Sequence, residues 1–264
     1  MIRGVGDIAD IEAALAAHWS QFGEAHEERG LLWFETAIRH LPYNGVIRAH
    51  LGDDADERIA VVTDRMRARA AECLWFVHPT ATPADLPARL SAHGLRPVEA
   101  ITCMSLDLAG WEPPPLPAGV AYEEVGDDDA LGEYTELTLR YWRIPPDEQP
   151  LVADLQRRLG PGRAPGHRYL ARIDGEPVAK GYLSVAGPPG VAALYGMNVV
   201  PAARGGGIAA GLTTTLLARA RELGCRRVVL HSTPMAVGLY RRAGFGERCP
   251  LTVFATAPFK PGSR

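Results

Sequence analysis

The segment Trp111-Glu112-Pro113-Pro114-Pro115-Leu116-Pro117-Ala118-Gly119 constrains this chain more than any other. Its clustered prolines hold the backbone near polyproline geometry and remove the amide donors that a helix or an inner strand needs. Regular structure must stop before it and start again after it. A chain of 264 residues is long enough for two cores of about 100 to 150 residues each. The break therefore divides it into residues 1–112, a linker at 113–119 and residues 120–264.

With 47% hydrophobic and 22% charged residues the chain reads as globular, and a net charge of −3 gives no electrostatic reason to bind nucleic acid or an anionic membrane. Acids at Asp7, Asp10, Glu12, Glu24, Glu27 and Glu28 interrupt the first apolar stretch, which argues against a signal peptide. No apolar run approaches the roughly 20 residues that span a bilayer. Cys73, Cys103, Cys225 and Cys249 show no metal-ligand spacing and read as free thiols, so a cytoplasmic protein without a metal is expected.

After the linker the pattern predicts a strand at 120–125, helices at 130–142 and 149–159, and three strands at 168–173, 178–185 and 191–200. Asp174-Gly175 is a hairpin signal between the first two of these strands. A helix from about 208 to 223, a strand at 227–231, a helix from about 235 to 243 and strand material at 245–255 complete an α/β (α+β) order with one βαβ crossover.

The sharpest motif lies between the third strand and the long helix, at Met197-Asn198-Val199-Val200-Pro201-Ala202-Ala203-Arg204-Gly205-Gly206-Gly207-Ile208-Ala209. Glycines let the backbone approach a ligand closely, and a helix start offers unpaired N–H groups and the positive end of the dipole. A diphosphate is the natural occupant, with Arg204 as a permanent charge at its edge. Gly205, Gly207 and Ala210 also satisfy a dinucleotide fingerprint, but the next strand ends in His231-Ser232-Thr233 and not in the acid a ribose requires. No G-x-S-x-G elbow or H-E-x-x-H spacing suggests a serine hydrolase or a zinc enzyme.

The run Arg204-x-x-Gly207-x-Ala209, preceded by Met-x-Val-x-Pro and followed by Leu239-Tyr240-Arg241-Arg242-Ala243-Gly244-Phe245, resembles the GNAT acetyltransferase pattern over residues 120–256. The resemblance implies a mixed, mostly antiparallel sheet flanked by helices. It also implies that the turn from Arg204 through Gly205, Gly206, Gly207 and Ile208 to Ala209 cradles the pyrophosphate of acetyl-CoA. Met197, Asn198 and Val199 would then meet the pantetheine arm, and Tyr240 would protonate the departing thiolate. Where an asparagine is frequent in the family this chain has Thr233-Pro234, and Ser232 and Thr233 are the hydroxyls available to compensate. The implied reaction is direct attack by a small-molecule or protein amine. An acetyl-CoA sensor without turnover and a purely structural scaffold are the other readings.

Sliding the chain over itself by 150 positions sets Ala68–Glu72 on Ala218–Glu222 and His93-Gly94-Leu95 on Ala243-Gly244-Phe245. The same offset sets Asp54 opposite Arg204, Ala55-Asp56-Glu57 opposite the three glycines and Leu90 opposite Tyr240. Carboxylates would repel a pyrophosphate, and leucine has no proton to give. With Tyr43-Asn44-Gly45-Val46 leading into a strand, the first half resembles the degenerate domain of tandem GNAT proteins. It is expected to buttress the second half without binding coenzyme, and two packed halves point to a monomer. Glu133, Glu136 and His167 are the candidate general bases, and Tyr141, Trp142 and Arg143 are candidates for the acceptor pocket.

Overall fold

The computed structural model describes residues 5–161 and 165–258. The first half runs α1 (Val5–Trp19), β1 (Glu24–Glu28), β2 (Leu31–Glu35), β3 (Gly45–Ala49), α2 (Ala55–Ala68), β4 (Leu74–Val77), α3 (Leu86–Ala92) and β5 (Arg96–Asp107). The second runs β6 (Ala121–Glu124), α4 (Asp128–Trp142), α5 (Gln149–Leu159), β7 (Gly166–Ile173), β8 (Glu176–Ser184), β9 (Val191–Val199), α6 (Ile208–Glu222), β10 (Arg227–Ser232), α7 (Val237–Arg242) and β11 (Gly246–Ala255). The elements of the second half follow the sequence-predicted order closely.

Local chemistry accounts for the boundaries. Asp127 caps α4 by accepting from the Ala130 amide at 2.8 Å, and the helix ends on Arg143 in the left-handed region just before Pro145-Pro146. Asp174 and Gly175, at φ +50° and +84°, turn β7 into β8. Helices α3 and α7 end alike. Gly94 and Gly244 take positive φ, and the next amides, Leu95 and Phe245, bond back to the Leu90 and Tyr240 carbonyls, each at 3.0 Å.

All eleven strands form one mixed sheet in the order β1-β2-β3-β4-β11-β5-β10-β9-β8-β7-β6. The proline segment separates the halves in sequence but does not divide this sheet. Each half sends its last strand to the other, so β5 pairs with β10 while β11 pairs with β4. At the centre β5 and β11 run antiparallel, and the pairs Gly246↔Ser105 and Ala255↔Arg96 exchange places under the 150-residue offset. The sheet thus has an approximate two-fold axis between β5 and β11.

The apolar core follows the same plan. Leu212, Leu216 and Leu217 of α6 and Tyr240 of α7 pack over the second half, and Ile59, Val62 and Met66 of α2 with Leu86 and Leu90 of α3 pack over the first. Helix α1 instead crosses to Val191, Ala193 and Val229 in the second half. It thereby brings its last turn to the site. Among the described residues no helix is long and apolar enough to cross a membrane.

Candidate acyl-thioester site

Strands β9 and β10 pair in parallel only from Val191↔Arg227 to Leu194↔Leu230. Beyond that point β9 stays on β8 while β10 stays on β5, so the sheet parts between them. The cause is local: the β8–β9 register shifts between Lys180 and Tyr182, and Gly196 takes φ +59°, which bends β9 away. A cavity of about 1310 Å³ occupies the opening. It is lined on one side by Met197, Asn198 and Val199, along an edge of β9 that has no strand partner, and on the other by Thr233 and Tyr240.

At the mouth of this cavity, Gly205 and Gly207 take φ +90° and +76°, and Gly207 is the N-cap of α6 without a side-chain cap. The first amides of α6 are therefore left to a ligand, at the positive end of the helix dipole. Arg204 Nε donates to the Val199 carbonyl at 3.2 Å, which holds the guanidinium beside the turn. The linker packs here as well, for a Cβ on Gly207 would lie 3.3 Å from Pro117.

The cavity brings together Met197, Asn198, Val199, Arg204, Gly205, Gly207, Ile208, Ala209, Thr233 and Tyr240. Gly206 is exposed and outside the lining, and Ser232 is buried with its hydroxyl donated to the Thr233 carbonyl at 3.0 Å. Tyr240 is 5% exposed, and burial pushes its phenol well above its ordinary range, so it stays protonated and able to donate.

A smaller chamber of about 240 Å³ continues inward from Tyr240. Its walls come from both halves: Leu15, His18 and Trp19 of α1 and Tyr43 face Tyr134, Arg168 and Lys180. Tyr141 borders both spaces, Trp142 the smaller and Arg143 the larger. The loop before Asn44 is locked to the second half, because Glu148 accepts from the Arg39 and His40 amides at 2.9 Å each.

The three general-base candidates lie elsewhere. Glu133 is paired with Arg172 and Glu136 with Arg140, while His167 bonds Glu124, and none of the three lines either space. The carboxylate that borders both is Glu99 of β5, whose pKa is raised by burial. Sequence reasoning missed it because only the strand exchange carries it across. Among the described residues the one His/acid group with metal-like spacing, Glu24-His26-Glu35, has Arg65 and Arg69 bound to Glu35 and is an ion-pair cluster.

In the first half, aligning the N-caps sets Asp54 against Gly207 and Asp53 against Gly206, so the uniform offset had misplaced these partners by a few residues. The chemical contrast remains. The start of α2 is acidic, and Asp56 is held by Arg89 and His93 of the α3 region. All four cysteines are buried free thiols.

A mixed sheet that parts between two parallel strands over a glycine turn and a helix N-terminus defines the class of fold, that of the GNAT acetyltransferases. The model of the acetyltransferase (GNAT) family matches residues 131–245. Similar proteins include a mycothiol acetyltransferase of Cellulomonas flavigena, 31% identical over 66% of this chain and 56% of its own length. Another, from Actinosynnema mirum, is 30% identical over 90% of this chain and 78% of its own length. The chain spans little more than half the length of the first of these. Among solved structures, a GCN5-related N-acetyltransferase from Kribbella flavida superposes with a TM-score of 0.71 at 20% identity, covering 96% of both chains. A tandem GNAT protein from the clavulanic acid biosynthesis pathway gives 0.60 at 17% identity over 97% of this chain and 96% of its own. The chain belongs to the GNAT acetyltransferase family.

Proposed function

We propose that this protein transfers the acetyl group of acetyl-CoA to a primary amine, that only the second half binds the coenzyme, and that the first half walls the acceptor chamber. The observation that carries this reading is the parting of β9 and β10 over the glycine turn, with Tyr240 opposite the free edge of β9. Amides at the start of α6 and Arg204 receive the pyrophosphate, and the β9 edge receives the pantetheine arm.

The amine arrives through the inner chamber and loses a proton to Glu99, whose raised pKa makes it a better base than an exposed carboxylate. Its lone pair attacks the thioester carbonyl. As the C–N bond forms and the C–S bond breaks, Tyr240 donates its proton to the sulfur, and the second proton that the nitrogen sheds restores the phenol. The acids of α2 and Leu90, in the place of Tyr240, leave the first half without the equivalent groups. Four free thiols and dependence on acetyl-CoA agree with a cytoplasmic setting.

The names of the relatives make the amine precursor of mycothiol the first acceptor to assay. Thiol release from acetyl-CoA in the presence of that amine and a broad amine panel tests the reading. Binding of acetyl-CoA without transfer to any amine would favour a sensor, and absence of binding would remove the proposal.

A further inference from the structure

The inner chamber holds two cations that pair with no carboxylate among the described residues. Arg168 and Lys180 are each 2% exposed. Arg168 pairs with Tyr182 and Leu170 with Lys180 in the β7–β8 register, so the two cationic side chains are diagonal neighbours on one face of the sheet. Both also lie against the Tyr134 ring, at 5.7 and 4.7 Å from its centre.

Their hydrogen-bond partners are neutral. Arg168 Nε donates to Gln156 Oε1 at 3.1 Å and Nη1 to the Gly160 carbonyl, while Lys180 Nζ donates to the Gly196 carbonyl at 3.2 Å. Among the described residues neither cation forms a salt bridge with an acid. Glu99, the carboxylate in the chamber wall, has its pKa raised by burial and lies at the junction with the coenzyme cavity.

Burying a permanent charge without a counter-charge is strongly unfavourable, and placing a second beside it is worse. Lys180 relieves the strain by becoming easier to deprotonate, its pKa drawn down to about 7 by burial and then by Arg168. Arginine has no such escape. The same chamber is bordered by further polar atoms that are buried without partners among the described residues: His18 Nδ1, the Tyr195 hydroxyl and both ring nitrogens of His231.

We propose, on the acetyltransferase reading above, that the acceptor is a small amine that also carries a carboxylate, seated with its carboxylate between Arg168 and Lys180 and its amine toward Glu99 and Tyr240. The rings of Trp19, Phe22 and Tyr182 in the same wall select an apolar side group carried beside the two charged ends.

The test uses the full chain saturated with coenzyme A and titrated calorimetrically with L-leucine, L-phenylalanine, their carboxamides and phenethylamine. Thiol release from acetyl-CoA is followed with the same amines. Phosphoethanolamine against β-alanine separates a phosphate from a carboxylate. The acids are expected to bind about 10- to 100-fold more tightly than the carboxamides, the usual value of a charge-assisted contact. Arg168→Gln and Lys180→Met should each erase that preference while the affinity for acetyl-CoA stays unchanged, and Arg168→Lys should restore part of it.

Equal binding of acids and carboxamides, or preference for phosphoethanolamine or for the amine precursor of mycothiol, would overturn the carboxylate assignment and leave the acetyltransferase reading standing. Loss of acetyl-CoA binding in the unaltered protein would defeat that reading instead. The comparison of acids with carboxamides in the unaltered protein decides the question even if a variant fails to fold.

Discussion

Tyr240 and Glu99 each border both spaces, and they differ in how far the sequence discloses them. Tyr240 was legible because its Leu-Tyr-x-x-x-Gly-Phe context is local: one short helix, one positive-φ glycine and one returning strand fix it. Glu99 lies in a half with no coenzyme motif, and nothing near it in sequence marks it. Its place at the cavity depends on β5 lying between β10 and β11, a long-range pairing that no local period encodes. Tyr240→Phe should lower kcat by about 100-fold, the scale of a lost general acid, with little change in acetyl-CoA affinity by calorimetry. An unchanged kcat would remove the phenol from the mechanism. Glu99→Gln should lower kcat/KM by a similar factor, about 100-fold, and abolish the acidic limb of its pH profile. A profile that kept this limb would assign the proton to another group.

The glycine turn shows what an element adds to a motif. Three consecutive glycines look equivalent in sequence, yet only Gly205 and Gly207 take positive φ, while a Cβ on Gly206 meets nothing. Gly205→Ala and Gly207→Ala should therefore weaken acetyl-CoA binding, each by about 1–2 kcal/mol of backbone strain, whereas Gly206→Ala should bind almost normally. Equal losses at all three positions would show that the turn is read by something other than backbone geometry. The internal repeat is instructive for the opposite reason. From α3 onward the 150-residue offset holds residue for residue, because the helix ends and the β5–β11 pairing are matched. At α2 it does not. Ala71 bonds back to Met66 where Cys225 bonds back to Ala220, so the runs Ala68–Glu72 and Ala218–Glu222, alike at four of five positions, are out of structural register. The slip in the turns before α2 and α6 is reversed before α3 and α7, and a gapless comparison does not see it.

At the scale of the molecule, the exchange of last strands makes each half incomplete alone: β4 would lose β11, and β10 would lose β5. Halves severed within residues 113–118 should co-purify when co-expressed and aggregate when made separately, and a soluble second half that binds acetyl-CoA would contradict this. The central pairing also fills internally an interface that a single domain would satisfy by dimerising, so light scattering should report a monomer. The chamber between the halves sets the response to acid. Burial draws His18 and His231 from 6.5 to about 3, with neighbouring charges adding to the effect. Above pH 6.5 both are neutral folded or unfolded and contribute nothing to the pH dependence. As pH falls from 6.5 toward 3 the unfolded chain takes up protons that the folded chain refuses, so stability declines by about 1.4 kcal/mol per pH unit for each histidine. Lys180 acts in a different window: between 7 and 10.5 the unfolded chain keeps a proton the folded chain sheds, and stability gains as pH rises. Denaturant melts from pH 7 to 4 should therefore show a steep loss, and His18→Gln should flatten it by about half if the two imidazoles share the effect equally. A slope unchanged by that substitution would move the acid sensitivity to the carboxylates of the surface ion pairs.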